Sequence, residues 1–205
     1  MNAGERDDRS SPPVLVEERD RIAVIRINRP AQRNPLSSAT LDELEQAFAR
    51  LTQNDRIRAI IFTGTGDVFA SGADIRELRA LTPEAAREFA ERGQRLFNLV
   101  ADARPLTVAA VNGYCMGGGL DLAHACRVRV ASARAVFAHP GARLGIITGW
   151  GGTQRLPALV GTARAVEMFA TARRLTADEA FEVGLVSHVH TDALACALEI
   201  ASRRV

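Results

Sequence analysis

The stretch "VNGYCMGGGLDLAHAC", residues 111–126, places three consecutive glycines directly before a segment with the pattern of a helix. The apolar segment "LTVAAVNG" (106–113) leads into them and predicts a buried strand. The first N–H groups of a helix have no internal acceptor and carry the positive end of its dipole. Because glycine has no Cβ, a ligand atom can approach these N–H groups closely. The stretch therefore predicts a strand–turn–helix unit that receives an anion or a developing negative charge.

Several interpretations of the glycines are open at this point. A dinucleotide site is disfavoured because G-x-G-x-x-G is absent, and a phosphate-binding loop because no G-K-[ST] follows. An oxyanion hole, in which backbone N–H groups face an enolate or a tetrahedral oxygen, fits the pattern. A purely structural role, in which the glycines let helix and strand pack closely, fits it as well.

A second segment of the same kind favours the oxyanion hole. "DVFASGADIREL" (67–78) again brings together a strand end, a turn of small residues and a helix start. Two such turns in one α/β core are able to supply one N–H each to a single oxygen, which is the arrangement that an oxyanion hole requires.

The composition is that of a globular protein and excludes several classes of function. The 205 residues suffice for one sizeable α/β domain, and 47% of them are hydrophobic. The net charge of +2 is too small to indicate nucleic-acid or membrane partners. All 26 basic residues are arginine, which excludes a lysine Schiff base and a P-loop lysine. Three cysteines without metal-type spacing, and a start without a secretory signal, predict a cytoplasmic protein without disulfides or zinc.

Predicted strands alternate with predicted helices, which favours an α/β fold with largely parallel strands. The pattern predicts a helix over 37–55 that begins with a capping box of Thr40 and Glu43. It also predicts a pair of strands in 127–140. The polar residues 1–13 are predicted to be a disordered tail.

Four motifs, taken together, carry a resemblance to a known family. They are "FASGADI" (69–75), "AAVNGYCMGGGLDLAHAC" (109–126), "FAHPGARLGI" (137–146) and "GWGGTQRLPALVG" (149–161). In order and spacing they resemble the enoyl-CoA hydratase/isomerase family, also called the crotonase family. The segment "INRPAQRNPLS" (27–37) is similar to the family's N-terminal signature.

The resemblance implies a fold, a ligand and an assembly. The fold is the α/β crotonase-like spiral of ββα units, which belongs to the Clp protease/crotonase superfold, over a core domain of residues 14–190. Residues 191–205 would be the start of a C-terminal helical region that family members continue further, so the chain is expected to be truncated there. The ligand is an acyl-CoA thioester. Since this thioester is the substrate, no cofactor and no metal are expected, and the assembly is a homotrimer or hexamer.

Carried over to the matching positions, the resemblance implies that the N–H groups of Ala73 and Gly118 hold the thioester carbonyl oxygen. The segment from Ala73 onward would run beside the adenine and pantetheine of CoA. Arg33 is placed to meet the CoA phosphates, although a solvated surface arginine fits the same pattern. The residues implied to contact the substrate are Arg33, Ala70, Ala73, Asp74, Ile75, Gly118, His139 and Gly141.

The chain departs from the family at the catalytic carboxylates. Family hydratases use two glutamates that share a water, one as base and one as acid. The first would fall at Asp121, whose side chain is shorter by one C–C bond of roughly 1.5 Å. The second would fall at Gly141, which has no proton to give or take. Smaller departures are Arg127, where family members often carry aspartate, and Thr148, where proline is usual. Trp150, next to the glycines, either lines the acyl pocket or is simply packed in the core.

Three hypotheses follow from the missing carboxylate. Asp121 alone acts as acid or base, which suits isomerisation, decarboxylation or another enolate reaction, whereas ordinary hydration loses half of its catalytic groups. His139 supplies the missing proton transfer, since its unperturbed pKa of about 6.5 suits the task, or it is simply a loop histidine that faces elsewhere. The third hypothesis is a protein that binds acyl-CoA without turnover.

The predicted function is that of an acyl-CoA thioester lyase or isomerase that stabilises an enolate in the oxyanion hole, with Asp121 as the remaining acid or base. The alternative from another class is a non-catalytic acyl-CoA-binding protein that lacks hydratase activity because of Gly141. A serine peptidase on the related Clp-like spiral would need Ser71 as nucleophile, and no histidine is evidently paired with it. His124 is interpreted as a histidine at the edge of the core and not as a metal ligand.

Overall fold

The structure, a computed structural model, describes residues 11–203. Within that range it contains twelve strands and eight α-helices. The strands are β1 (Val14–Arg19), β2 (Ile22–Ile27), β3 (Pro35–Leu36), β4 (Ala59–Gly64), β5 (Val68–Ala70), β6 (Gly72–Ala73), β7 (Leu106–Val111), β8 (Tyr114–Met116), β9 (Val128–Ser132), β10 (Val136–Ala138), β11 (Leu175–Thr176) and β12 (His188–His190). The helices are α1 (Ser38–Gln53), α2 (Ile75–Leu78), α3 (Pro83–Ala101), α4 (Gly118–Ala125), α5 (Gly152–Val160), α6 (Thr162–Thr171), α7 (Ala177–Glu182) and α8 (Ala193–Ser202).

The largest sheet has six strands in the order β1-β2-β4-β7-β9-β12. β1 pairs antiparallel with β2, and every later pair of neighbours is parallel. Parallel strands that are covered on both faces are apolar along their whole length, and β4 is buried at every position from Ala59 to Gly64. The predicted α/β class with largely parallel pairing is confirmed.

The side chains of this sheet alternate between two layers of hydrophobic core. Ile61 of β4 faces α8, which presents Ala193 and Ala197, one turn apart, to the sheet. Its neighbour Ile60 faces the opposite layer, which contains most of the buried side chains. Successive side chains of a strand point to opposite faces of the sheet, so one continuous apolar strand contributes to both layers of the core.

A second sheet has four strands in the order β11-β10-β8-β5, and its first three strands along the chain alternate with those of the large sheet. β4 is followed by β5, β7 by β8 and β9 by β10, so the chain passes three times from the large sheet to the small one. A helix follows each time, which makes the repeat strand, strand, helix. The repeat brings the turn at Gly72 against the turn at Gly117 and Gly118, although 45 residues of sequence separate the first two of these glycines.

Two local predictions are wrong. The helix α1 is capped by Ser37, whose hydroxyl accepts a hydrogen bond from the Thr40 nitrogen at 3.2 Å, so the predicted capping box of Thr40 and Glu43 does not form. The two strands predicted in 127–140 are present as β9 and β10, but they lie in different sheets and do not pair with each other.

The predicted disordered tail, 1–13, falls outside the described residues except for 11–13. Of these, Pro13 is tied to the fold, because its carbonyl accepts a hydrogen bond from the Asn28 nitrogen at 2.8 Å. The predicted C-terminal region, 191–205, contains α8, and residues 204–205 lie outside the described range. Among the helices of residues 11–203, none has the length and apolar character to cross a membrane.

Candidate active site

A cavity of about 260 Å³ opens between the two glycine turns, α3 and the segment that connects β10 to α5. Its walls are mostly apolar and include Ile75, Phe89 and Ile146. Asp121 and His139 are the titratable residues in its lining. An apolar cavity with a few converging polar groups is typical of a small-molecule site.

The two glycine turns lie against one another on one wall of this cavity. A Cβ added to Gly72 would lie 3.1 Å from the Gly118 nitrogen and 2.9 Å from the Met116 carbonyl oxygen. Gly118 is the first residue of α4, so its N–H has no acceptor within the helix. Ala73, next to Gly72, lines the same cavity. The fold thus brings together the two residues that the oxyanion-hole prediction names, and their role remains a prediction.

The three consecutive glycines serve different purposes. Gly117 adopts a φ of 51°, in the left-handed region that a residue with a Cβ enters at a cost. A Cβ on Gly118 would lie 2.3 Å from the indole ring of Trp150. A Cβ on Gly119 would lie 2.5 Å from the carbonyl oxygen of Ala70, so this glycine permits close packing of helix and strand. Close packing therefore accounts for Gly119, whereas Gly117 and Gly118 shape the cavity wall.

Asp121 is fully buried in the first turn of α4, beneath the cavity. The Thr148 hydroxyl donates a hydrogen bond to its Oδ2. Burial raises the pKa of Asp121 to about 7, although the Thr148 hydrogen bond and the charge of Arg155 act in the opposite direction. A carboxyl group with a pKa near neutrality is able both to accept and to release a proton during a reaction.

Two histidines lie close to this carboxylate. The Nε2 of His139 is 3.4 Å from Oδ1 of Asp121, so the interpretation of His139 as a loop histidine that faces elsewhere is wrong. Burial lowers the pKa of His139 to about 4, and the contact is therefore not an ion pair at neutral pH. His124 is three residues after Asp121 on α4 and stacks at a tilt near His139, with ring centroids 5.9 Å apart. Burial and the neighbouring positive charges hold the pKa of His124 well below its usual value.

Position 141 has no space for a carboxylate side chain in the present backbone. A Cβ added to Gly141 would lie 2.4 Å from the carbonyl oxygen of Ile146, closer than non-bonded atoms approach. The same loop is closed by a hydrogen bond from the Ile146 nitrogen to the Gly141 carbonyl at 3.0 Å. The loop is therefore fitted to glycine, and the missing carboxylate is a property of the backbone as well as of the sequence.

Gly141→Ala is expected to destabilise the chain by about 1–3 kcal/mol, because the added methyl group must displace backbone atoms. For a chain of this length, each kcal/mol corresponds to a fall in Tm of about 2–4 °C. Gly149→Ala is the matched control, since its Cβ would meet its nearest neighbour, the Ala90 Cβ, at an ordinary 3.5 Å. Thermal unfolding followed by circular dichroism measures both, and equal Tm values would contradict the prediction.

Trp150 closes the cavity between α3 and α4. It is buried, its Nε1 donates to the Phe89 carbonyl at 3.2 Å, and its ring meets Phe97 edge-on with centroids 5.6 Å apart. A Cβ on Gly93 of α3 would lie 2.2 Å from the same ring. Trp150 is thus both packed in the core and exposed to the cavity, which combines the two roles that its sequence position suggests.

Of the remaining residues that were predicted to contact the substrate, some line the cavity and others do not. Ile75 lines the cavity and is partly exposed. Asp74 lies outside the lining, and its carboxylate forms an ion pair with Arg76 at 2.7 Å, which holds its pKa below the usual value. Ala70, the last residue of β5, is buried against α4, and Arg33 is exposed and outside the lining. No structural observation tests the predicted contacts of these residues with CoA.

Ser71 lines the cavity, but the structure gives the peptidase interpretation no support. Within residues 11–203, no hydrogen bond joins the Ser71 hydroxyl to a histidine or an acid. A serine nucleophile needs such a base within hydrogen-bond reach.

Three residues lie beside Asp121 in a way that was not predicted from the sequence. Thr148 stands out as a departure from the family pattern, but nothing in the sequence shows that it bonds Asp121. His124 could have been found, because residues three apart on a helix lie on the same face. Gly152 leaves space for the carboxylate, since a Cβ there would lie 2.1 Å from the Asp121 Oδ1.

Comparisons with known proteins agree with this geometry. A family model described as enoyl-CoA hydratase/isomerase matches residues 17–201. Crotonyl-CoA hydratase of Syntrophomonas wolfei is 42% identical over 177 residues, which cover 86% of this chain and 68% of that protein. Short-chain-enoyl-CoA hydratase of Clostridium acetobutylicum is 38% identical over 195 residues, which cover 94% of this chain and 75% of that protein.

Solved structures show the same fold. Pseudomonas aeruginosa DspI superposes with a TM-score of 0.90 at 36% identity and covers 98% of this chain, which spans 83% of that one. Enoyl-CoA hydratase from Bacillus anthracis superposes with a TM-score of 0.89 at 35% identity, over 93% of this chain and 76% of that one. The predicted crotonase-like spiral of ββα units is confirmed.

Proposed function

The chain belongs to the enoyl-CoA hydratase/isomerase family, and from that premise we propose that it is a lyase or isomerase of short-chain enoyl-CoA thioesters. Asp121 is the acid or base, and the N–H groups of Ala73 and Gly118 hold the thioester oxygen. The observation that carries the proposal is the carboxylate of Asp121, buried beneath an apolar cavity whose wall includes the start of α4. The choice of a short acyl chain is supported by the similarity to crotonyl-CoA hydratase and to short-chain-enoyl-CoA hydratase.

The proposed reaction separates into polarisation and proton transfer. Two N–H groups that point at the thioester oxygen stabilise the negative charge that it gains when an enolate forms. For hydration, Asp121 takes a proton from water as the water oxygen adds to Cβ, and the enolate then takes that proton back at Cα. For isomerisation, Asp121 removes a proton from one carbon of the acyl chain and returns it to another. Neither route needs a second carboxylate, provided that one group moves the proton both ways.

His139 has a supporting role in this proposal. Its Nε2 lies 3.4 Å from the Asp121 Oδ1, in the lining of the same cavity. A neutral imidazole there can orient the carboxylate or a water beside it, and it adds no charge that would compete with the thioester. The reaction uses no cofactor, since the CoA thioester is the substrate. A cytoplasmic location and a homotrimeric or hexameric assembly complete the proposal.

The competing function is acyl-CoA binding without turnover, and the closed loop at Gly141 is the observation that favours it. A hydration assay with crotonyl-CoA, followed by the loss of the ultraviolet absorbance of the enoyl thioester, separates the two. Turnover that rises in proportion to enzyme supports the proposal. Calorimetric binding of crotonyl-CoA or butyryl-CoA without hydration or isomerisation of any short-chain substrate would establish the binding protein instead.

A further inference from the structure

We propose that Asp121, His124 and His139 form a binding site for a divalent transition-metal ion, with Zn²⁺ as the best-matched ion. One potential ligand atom from each side chain, a carboxylate oxygen or a ring nitrogen, lies within 4.8 Å of both others, and all three residues are buried. Two imidazoles and one carboxylate, with a further position open toward a cavity, are a donor set that zinc accepts in other proteins.

Four buried polar atoms of this cluster have no hydrogen-bond partner. Among residues 11–203, the buried side-chain nitrogens and oxygens without a hydrogen bond are Oδ1 of Asp121, both ring nitrogens of His124 and Nε2 of His139. Buried polar groups are nearly always hydrogen-bonded, because an unpaired group costs about 1–3 kcal/mol. One oxygen of Asp121 and one lone-pair nitrogen of each histidine can give electron pairs to a single cation, while the second ring nitrogen of His124 carries its proton.

One distance within the cluster matches the spacing of ligand atoms around tetrahedral zinc. Bonds of about 2.0–2.2 Å to zinc place neighbouring ligand atoms roughly 3.4 Å apart. The distance between His139 Nε2 and Asp121 Oδ1 is 3.4 Å. A ring nitrogen of His124 lies within 4.8 Å of a ligand atom of each of the other two side chains.

The surroundings favour the ligand forms of these side chains. Thr148 bonds the other carboxylate oxygen, Oδ2, and such a hydrogen bond fixes the orientation of a ligating carboxylate. Both imidazoles are buried away from competing water, and ring nitrogens of histidine are the commonest metal ligands in proteins. Asp121 and His124, three residues apart on α4, present their donors from one helix face, while His139 approaches from the end of β10.

The test is zinc binding by the full chain after treatment with a chelator. Isothermal titration calorimetry with Zn²⁺ is expected to show one saturable site, and Co²⁺ is expected to give the visible absorption of a tetrahedral complex. His124→Leu should weaken binding at least about 10–100-fold, because it removes a direct ligand without entering the cavity lining. His188→Ala and Cys196→Ser, which remove an exposed histidine and a half-buried thiol, are the controls and should bind as the wild type does.

Absence of saturable Zn²⁺ binding to the wild-type chain, or equal affinity of wild type and His124→Leu, overturns the site. Should His124→Leu fail to fold, His124→Gln gives the same comparison with a polar side chain. A consequence rests on the proposed function: zinc on Oδ1 would withdraw Asp121 from proton transfer, so Zn²⁺ should inhibit the wild type and spare a folded His124 variant. Zinc binding without enzymatic turnover would retain the site and remove the proposed function, and turnover without zinc binding would do the reverse.

Discussion

Asp121→Asn is expected to lower kcat for crotonyl-CoA hydration by about 10²–10⁴-fold, the range that general acid–base catalysis contributes. The amide has nearly the same shape and still accepts the Thr148 hydrogen bond, but it cannot take a proton from water. Calorimetric affinity for butyryl-CoA should change little, because the proposal assigns thioester binding to the N–H groups of Ala73 and Gly118. Asp178→Asn, at an exposed carboxylate on α7, is the control and should keep full activity.

Asp121→Asn lowers activity but is expected to raise the stability of the folded chain. The sign of this change follows from the raised pKa of Asp121. Burial raises the pKa of Asp121 from its ordinary 3.8, which applies to the unfolded chain, to about 7 in the folded chain. Above about pH 3.8 the unfolded chain therefore loses this proton more readily than the folded chain, which lowers the free energy of unfolding. Asp121→Asn should therefore raise Tm at pH 8 in chelator-treated protein, and the difference in Tm from the wild type should vanish below the pKa of the unfolded chain.

The outcome that contradicts the activity prediction is hydration by Asp121→Asn within about tenfold of the wild-type rate, which would show that Asp121 is not the proton-transfer group.

Gly118→Pro is expected to lower kcat by about 10²–10³-fold relative to Gly118→Ala, the cost of losing one oxyanion-hole donor. Proline removes the N–H and suits the first position of a helix, which is the position of Gly118 in α4. Both substitutions add a Cβ that Trp150 must accommodate, so the ratio of their rates isolates the N–H. If the proline and alanine variants turn over crotonyl-CoA equally, the Gly118 N–H does not hold the thioester oxygen.

Apolar periodicity predicted the elements that form the core, whereas the shortest strands were out of its reach. β4 and β7 are strands of six residues, all buried except Leu106, and they are long enough to be recognised from the sequence. β3 and β6 have two residues each, too few for any period, and they form only because the fold brings them together. The cap of α1 was misassigned because hydroxyl side chains occur at both 37 and 40, and the choice depends on where the chain enters the helix.

The candidate site was predictable where one segment determines it and unpredictable where several meet. Gly118 and Asp121 lie in one strand–turn–helix unit, so their positions follow from the glycine motif. His139 comes from the end of β10 and Thr148 from the loop before α5, and their distance from Asp121 depends on how these elements pack. Sequence spacing carries no information on that packing, which is why the orientation of His139 was predicted wrongly.

The indole ring of Trp150 restricts substitution at two glycines that are distant in sequence, Gly93 and Gly118. As long as the tryptophan is present, neither Gly93 nor Gly118 can gain even a methyl group without displacing it. A smaller residue at 150 would release both positions at once, so the order in which substitutions accumulate matters. Variants that lose the indole first can accept side chains at both positions, on α3 and on α4, and these side chains would change the shape of the cavity.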